Sequence, residues 1–370
     1  MSTNVQAAVA RKVGGPLSIE TLQLDELRPD EARVRLVASG VCHTDAIVRD
    51  GVYPTPQPAV LGHEGAGVVE AVGDAVQAVR PGDHVILSTA HCGHCDSCKG
   101  GDPMYCDVLG PMNFGGRRLA DGSTALHTED GEEVSSHFFG QSSFATYANV
   151  SESSLVPVPD DVPLESVAFF GCGMQTGAGA ILNELKPEAG SSVAVSGSGA
   201  VGLAAVMAAR VAGATTIIAT DLHDERLELA RELGATHAIN PSKVDVVEEM
   251  KAITGGRGVQ YVLDTTAVPA VLQQLADALS VRGTLALVGA AEAGTEVPFE
   301  IGGSLLKGWT FKTIIEGSAV PQRFIPQLVD LYRQGRFPAD KLVKTYALED
   351  INQAFEDSAS GATVKPVIVY

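Results

Sequence analysis

Between Thr176 and Ile315, short β-branched runs alternate with Ala- and Leu-rich stretches whose apolar positions follow a helical repeat. The runs at 193–196, 216–220, 261–264, 284–288 and 310–315 predict strands, with 238–239 a weaker sixth. The stretches 200–212, 225–233, 244–254 and 269–279 predict helices. Alternation of this kind implies parallel βαβ units with right-handed crossovers. Before Val150 the pattern differs: short alternating strands at 32–37, 67–72 and 84–87 stand among many Gly and Pro residues and long loops. Beyond Ala319 the pattern predicts helices at 324–334 and 350–357 and a strand at 364–369. The expected fold class is α/β: a mostly-β domain from residues 1–175 and 316–370, with a doubly wound parallel-sheet domain, 176–315, inserted into it.

Composition narrows the partners. The 370 residues suffice for two or three domains, and 45% hydrophobic with 19% charged residues is a globular composition. A net charge of −19, without a basic cluster in the sequence, argues against nucleic acid and anionic membranes as partners. The uncharged run 189–209 is long enough for a membrane span, but Ser196-Gly197-Ser198-Gly199 at its middle favours a strand, a turn and a helix. The first eleven residues lack the apolar core of a signal peptide, so the expected location is the cytoplasm, where thiols stay reduced.

The six cysteines then become the chemistry to explain. Cys92, Cys95, Cys98 and Cys106 are spaced C-x₂-C-x₂-C-x₇-C among small and turn-forming residues, which suits a closed structural zinc site of four thiolates. An iron–sulfur cluster is the competing reading. Cys42 lies in Gly40-Val41-Cys42-His43-Thr44-Asp45, His63 in Gly62-His63-Glu64-Gly65, and Cys172 in Gly171-Cys172-Gly173. Two thiolates and one imidazole leave a tetrahedral ion one open position, the arrangement of a catalytic zinc. Asp45 is placed to accept a hydrogen bond from the second nitrogen of His63.

The run Val193-Ala194-Val195-Ser196-Gly197-Ser198-Gly199-Ala200-Val201-Gly202 is an apolar strand followed by G-x-G-x-x-G and an Ala-rich helix. The next strand ends at Asp221, completing the context of a dinucleotide fingerprint. Its glycines let a pyrophosphate approach a helix N-terminus. The Asp221 carboxylate would bind ribose hydroxyls and repel a 2′-phosphate, which predicts NAD over NADP. The alternative role for Asp221 is helix capping.

Together these motifs resemble the zinc-dependent medium-chain alcohol dehydrogenases along essentially the whole chain. GVCHTD, GHEGAGVVEAVG, the four-cysteine lobe, GCGMQTGAGA and VSGSGAVG occur in that family's order. His137-Phe138-Phe139-Gly140-Gln141-Ser142-Ser143-Phe144-Ala145, Ile315-Glu316-Gly317 and Phe324-Ile325-Pro326-Gln327-Leu328 look like its aryl-alcohol (benzyl-alcohol) dehydrogenase branch. The resemblance implies a GroES-like catalytic domain beside a Rossmann domain. It implies a catalytic zinc on Cys42, His63 and Cys172, with Glu64 an occasional ligand, and a structural zinc on Cys92, Cys95, Cys98 and Cys106. Thr44 matches the hydroxyl that takes the alcohol proton, Thr176 a residue beside the nicotinamide, and Arg226 the basic residue at the adenosine ribose. His43 and Lys365 match pyrophosphate contacts; Val201 and Val288 complete the expected cofactor contacts. Where many relatives carry a histidine that ends a proton relay, this chain has Ile47, which carries no proton. The proton must leave by another route, through water or His43.

The implied reaction is hydride transfer from an alcohol, its oxygen acidified by zinc, to nicotinamide C4, with Thr44 accepting the proton. Six of the eleven phenylalanines (Phe114, Phe138, Phe139, Phe144, Phe169 and Phe170) fall in one part of the chain. Phe138 and Phe139 match the family's pocket wall, which favours a small aromatic alcohol or aldehyde as partner. An allylic terpenoid alcohol such as geraniol is the nearest rival, and a thiol-adduct formaldehyde substrate is disfavoured because there is no basic cluster for an anionic thiol. A non-catalytic zinc or nucleotide-binding protein is the alternative from another class. The family also implies a homodimer or homotetramer joined through the edge strand at 310–315.

Overall fold

The computed structural model describes residues 3–370. It divides into two compact units. One runs up to Cys172 and includes Val320–Gln334 and Ala339–Tyr370; the other comprises Gly173–Ala319 and Gly335–Pro338.

In the first unit a seven-stranded sheet is ordered Leu155–Val158, His84–Leu87, Glu64–Val72, Glu31–Gly40, Lys365–Val369, Val343–Ala347, with Tyr147–Ser151 also paired to Glu31–Gly40. The C-terminal strand thus completes the sheet begun by the N-terminal part, pairing Val367 with Gly40. Alternation along Glu31–Gly40 buries Val34 and Leu36 against Val69, Val85, Leu87 and Val150. A five-stranded sheet contains the Thr3–Ala10 and Leu17–Leu24 hairpin, which the hydrophobic pattern does not single out because Ala-rich and Glu-containing segments make weak strand signals.

The second unit is a six-stranded sheet, parallel throughout, ordered His237–Ile239, Thr216–Thr220, Ser192–Ser196, Val259–Asp264, Leu279–Leu287, Thr310–Thr313. In chain order this is 3-2-1-4-5-6, the doubly wound dinucleotide-binding topology. Helices Ala200–Ala212, Asp224–Leu233, Val246–Ile253 and Pro269–Asp277 connect the strands. The run at 189–209 is indeed a strand, a turn and a helix, and no helix among the described residues is long and apolar enough to cross a membrane. The paired edge strand stops at Thr313, although Ile314 N–H still donates to the Leu287 carbonyl and Ile315 stays extended (φ −105°, ψ 133°); Glu316, Gly317 and Ser318 then take left-handed backbone angles (φ 49°, 64° and 47°) that end the extended run.

Candidate active site

The Glu31–Gly40 strand delivers Cys42, which caps the helix His43–Arg49: the Cys42 N–H donates to Asp45 Oδ2 at 3.0 Å. The Asp45 carboxylate also accepts from Gly62 N–H (3.0 Å) and lies 2.9 Å from His63 Nδ1. A buried acceptor there fixes the proton on Nδ1 and leaves the Nε2 lone pair outward, as a metal-ligating histidine requires. Nε2 is buried with no hydrogen-bond partner among the described residues. One ligand atom each from Cys42, His63, Glu64 and Cys172 lie within 4.8 Å of one another. An orphaned imidazole nitrogen facing two sulfurs is costly unless a cation takes all three, so these residues fit zinc.

The electrostatics agree. The Cys42 thiol is drawn well below its usual range by a hydrogen bond from Cys172, with His63 and Lys365 adding to the effect against burial. Burial opposes charge on His63, but Asp45 and the Cys42 thiolate outweigh it and push its pKa well up. The negative field that would hold a proton there favours a divalent ion equally. Glu64 is pushed up to about 7, chiefly by burial and then by Cys42, against the pull of Lys365 and His63.

Two glycines make room for the set. A Cβ on Gly171 would stand 1.9 Å from the Leu87 carbonyl oxygen, so only glycine lets the chain carry Cys172 in at this depth. A Cβ on Gly40 would stand 2.1 Å from Glu64 Oε2. Lys365, expected at the pyrophosphate, is buried with its Nζ 2.7 Å from Glu64 Oε2 and 3.1 Å from the Val41 carbonyl. Sequence spacing could not reveal this pairing, because it depends on the C-terminal strand lying beside Glu31–Gly40. Gln141 was also missed. Its Nε2 donates to the His63 carbonyl and its Oε1 accepts from Gly65 N–H, both at 3.0 Å, bracing the ligand's backbone. Thr44 sits partly buried in the helix after Cys42; His43, one residue earlier, is exposed.

Cys92, Cys95, Cys98 and Cys106 form a second cluster, again with sulfurs within 4.8 Å. Backbone N–H groups of His94 and Cys95 point at Cys92 Sγ (3.5 and 3.3 Å) and pull its pKa to about 6, whereas burial and Cys95 push Cys98 to about 12. Four sulfurs at this spacing cannot all ionise without a cation between them, which fits a closed zinc site.

The second unit carries the fingerprint, and each glycine has a distinct role. Gly197 has φ 87°, a Cβ on Gly199 would meet nothing within 4 Å, and a Cβ on Gly202 would lie 1.8 Å from the Gly197 carbonyl oxygen. The first makes the turn, the second leaves open space for a pyrophosphate, and the third lets helix and turn touch. Beside them a cavity of about 440 Å³ is lined by Gly197, Gly199, Asp221, Arg226, Thr266 and Gln274, among others. Asp221 accepts from Ser198 N–H (2.8 Å) and His223 N–H (2.9 Å), and Arg226 Nη1 stands 3.9 Å away. Val201 opens the helix after the turn, and Val288 follows the Leu279–Leu287 strand, donating its N–H to Asp264 O. Thr176 Oγ1 and Gln175 Nε2 both donate to Glu316 Oε2, at 3.2 and 3.0 Å.

Comparison with known proteins agrees with this chemistry. Residues 28–160 match the alcohol dehydrogenase GroES-like domain and residues 200–334 the zinc-binding dehydrogenase family. The chain is 45% identical over 368 residues to the geraniol dehydrogenase of Castellaniella defragrans, covering 99% of this chain and 98% of that protein. A crystal structure of benzyl alcohol dehydrogenase from Acinetobacter calcoaceticus is 48% identical, with a TM-score of 0.96 and 99% of each chain covered. That of an alcohol dehydrogenase zinc-binding domain protein from Burkholderia ambifaria is 56% identical, with a TM-score of 0.98 over 100% of this chain and 99% of the other. The chain therefore belongs to the zinc-dependent medium-chain alcohol dehydrogenases, oxidoreductases of alcohols and aldehydes that use zinc and a nicotinamide cofactor.

Proposed function

We propose that this enzyme oxidises primary aryl alcohols of the benzyl type to aldehydes, and catalyses the reverse reduction, with NAD as its cofactor and two zinc ions per chain. The observation that carries the reading is an aromatic wall around the zinc-ligand histidine. The Phe139 ring centre lies 4.5 Å from that of His63, Phe114 lies 5.2 Å from Phe139, and Tyr53 lies 5.7 Å from Phe114. Phe138 is fully buried and stands behind, 4.9 Å from Phe139. The Phe139 and His63 rings are tilted by 30°, and the other pairs meet edge to face; both arrangements extend to a flat substrate ring. When bound, zinc lowers the pKa of the alcohol oxygen and nicotinamide accepts the hydride. Thr44 Oγ1 takes the hydroxyl proton; with Ile47 inert, the proton leaves through water or the exposed His43.

The preference for NAD is supported by Asp221, whose carboxylate lines the adenosine-side cavity and would repel a 2′-phosphate. The likeness to a geraniol dehydrogenase supports an allylic terpenoid alcohol as the second reading, since its flat apolar group suits the same wall. We place the enzyme in the cytoplasm as a homo-oligomer joined at the Thr310–Thr313 edge. The decisive experiment compares kcat/KM for benzyl alcohol, geraniol and ethanol, with NAD and with NADP. Benzyl alcohol with NAD is expected to lead. A preference for ethanol would overturn the aryl reading, and equal use of the two cofactors would overturn the NAD assignment.

A further inference from the structure

The segment that carries the aromatic wall is held in a backbone shape that side chains rarely adopt. His137, Phe139, Gly140 and Ser142 all have positive φ (61°, 53°, 68° and 52°). Non-glycine residues persist in this region only where their surroundings over-determine it. Here the surroundings are a buried charged cluster outside the zinc site. Glu31 Oε1 lies 2.6 Å from Arg118 Nε and 2.8 Å from His137 Nε2, while Oε2 accepts from Arg118 Nη2 and from Arg28 N–H, both at 3.1 Å. Glu31, Arg118 and His137 are respectively 3%, 8% and 3% exposed, so solvent does not weaken the pairing.

Hydrogen-bond accounting fixes the imidazole. Thr124 donates its hydroxyl proton to the Val134 carbonyl, and Ser136 Oγ accepts from Ala125 N–H at 2.9 Å. Ser136 Oγ also lies 3.0 Å from Thr124 Oγ1 and 2.8 Å from His137 Nδ1. The Glu31 carboxylate can only accept, so His137 Nε2 carries the proton that faces it. Further along the segment, Phe138 N–H donates to Ser142 Oγ, which donates to the Val60 carbonyl, and Gln141 holds the His63 backbone. The two rings between these anchors, Phe138 and Phe139, both meet the His63 ring.

We infer that Glu31, Arg118 and His137 are positioning residues that fix the Phe138–Phe139 wall against His63 and thereby set the preference for flat benzylic alcohols over aliphatic ones. The inference rests on the aryl reading above. All three are buried, and they act through the segment that carries the two rings.

The test compares His137→Asn with His137→Gln. Asparagine tolerates positive φ but is too short to reach Glu31, whereas glutamine places an N–H where Nε2 stood. The readout is the ratio of kcat/KM for benzyl alcohol to that for hexan-1-ol, with KM and kcat resolved and zinc content measured. His137→Asn is expected to lower the ratio about five- to tenfold through the KM for benzyl alcohol, the size of one aromatic contact. His137→Gln is expected to restore it to within about twofold of wild type. An unchanged ratio in His137→Asn, or equal loss in both variants, overturns the positioning role. If His137→Asn does not accumulate as folded protein, Ser136→Ala removes the Nδ1 partner together with an acceptor for Ala125 N–H, and an unchanged ratio there overturns the role equally. A wild-type enzyme without benzylic preference would bring down the aryl reading and this inference with it. A wild-type preference that both variants keep would bring down this inference alone.

Discussion

Lys365 Nζ and Glu64 Oε2 form an ion pair 2.7 Å long in which both side chains are buried, and Glu64 is itself within reach of the Cys42, His63 and Cys172 ligand atoms. The pair brings a counter-charge from the C-terminal strand to a carboxylate that burial would otherwise neutralise. Lys365→Met should leave an uncompensated acid and cost about 3–5 kcal/mol, as breaking a buried pair does. Adding Glu64→Gln should recover much of that loss. Urea unfolding of the two single variants and the double variant measures the coupling; additive losses would show that the pair is not what holds these strands together.

On the proposed two-zinc reading, Cys172→Ser should lower bound zinc by one ion per chain and abolish turnover, because serine is a poor zinc ligand and the three-residue set cannot be completed by Cys42 and His63 alone. Cys106→Ser should also remove one zinc, but from the cluster distant in sequence, and its main effect should be a lower Tm. Metal analysis alongside thermal melts separates the two. Retention of full metal content and turnover in Cys172→Ser would sink the catalytic assignment.

The doubly wound region is legible in the sequence because its central strands, Ser192–Ser196 and Thr216–Thr220, are buried almost throughout, while helices such as Asp224–Leu233 and Pro269–Asp277 bury one face. Thr216–Thr220 and Ala200–Ala212 fall where periodicity puts them. The two clusters that could hold a metal are legible because metal chemistry constrains residue type and local spacing together. Lys365–Glu64 and Glu31–Arg118–His137 are not legible, since each joins segments that only sheet pairing or a long loop brings together. No local pattern marks an Arg or a His that will be buried against a distant acid. The left-handed run after Ile315 is not legible for a related reason: Glu316 and Ser318 carry no glycine-like signal.

Glu31 predicts an acid-dependent stability term. Burial would raise its pKa, but hydrogen bonds from His137 and Arg118 bring it down from the ordinary 4.5 to about 2. A carboxylate depressed in the folded state stabilises that state above the unfolded pKa and loses the contribution as pH falls through the folded one. The stability gap between wild type and Glu31→Gln should thus be constant above about pH 5 and shrink by about 3 kcal/mol between about pH 4.5 and 2. Chemical denaturation across that range measures it; a pH-independent gap would show that Glu31 is not ionised in the fold.

Asp221→Ser should shift cofactor choice. The substitution removes the charge facing a 2′-phosphate while leaving a hydroxyl near Ser198 N–H and His223 N–H, the groups the carboxylate now engages. Arg226, with its Nε buried and unpartnered among the described residues and its Nη1 3.9 Å from Asp221, becomes available to an added phosphate. The NAD-to-NADP ratio of kcat/KM should fall at least about tenfold, since like charges brought together cost several kcal/mol. Direct titration of both oxidised cofactors should show the same reversal. An unchanged ratio would leave Asp221 as a cap on the turn and nothing more.

The Thr310–Thr313 strand ends the parallel sheet, and no other strand among the described residues pairs with its outer edge. The helix before it, Ile301–Lys307, exposes Ile301, Leu305 and Leu306 at 80%, 77% and 88%. An open sheet edge and a run of exposed aliphatic side chains are both features that natural proteins either cover or charge, and the two are neighbours in sequence here. Lys307 lies over the Trp309 ring and Phe299 stacks on Phe311, so the flanking aromatics are already ordered. If two copies meet here, sheet extension supplies directional hydrogen bonds and the leucines supply apolar burial. Leu306→Glu would then place a charge in the interface and weaken association by about 2 kcal/mol or more. Light scattering during size-exclusion chromatography should show a shift toward monomer at micromolar protein, with zinc content unchanged. Leu119→Glu, at an apolar position 53% exposed in the other unit, is the matched control and should leave the mass alone. An unchanged mass for Leu306→Glu, or an equal shift for the control, would place the contact on a different face.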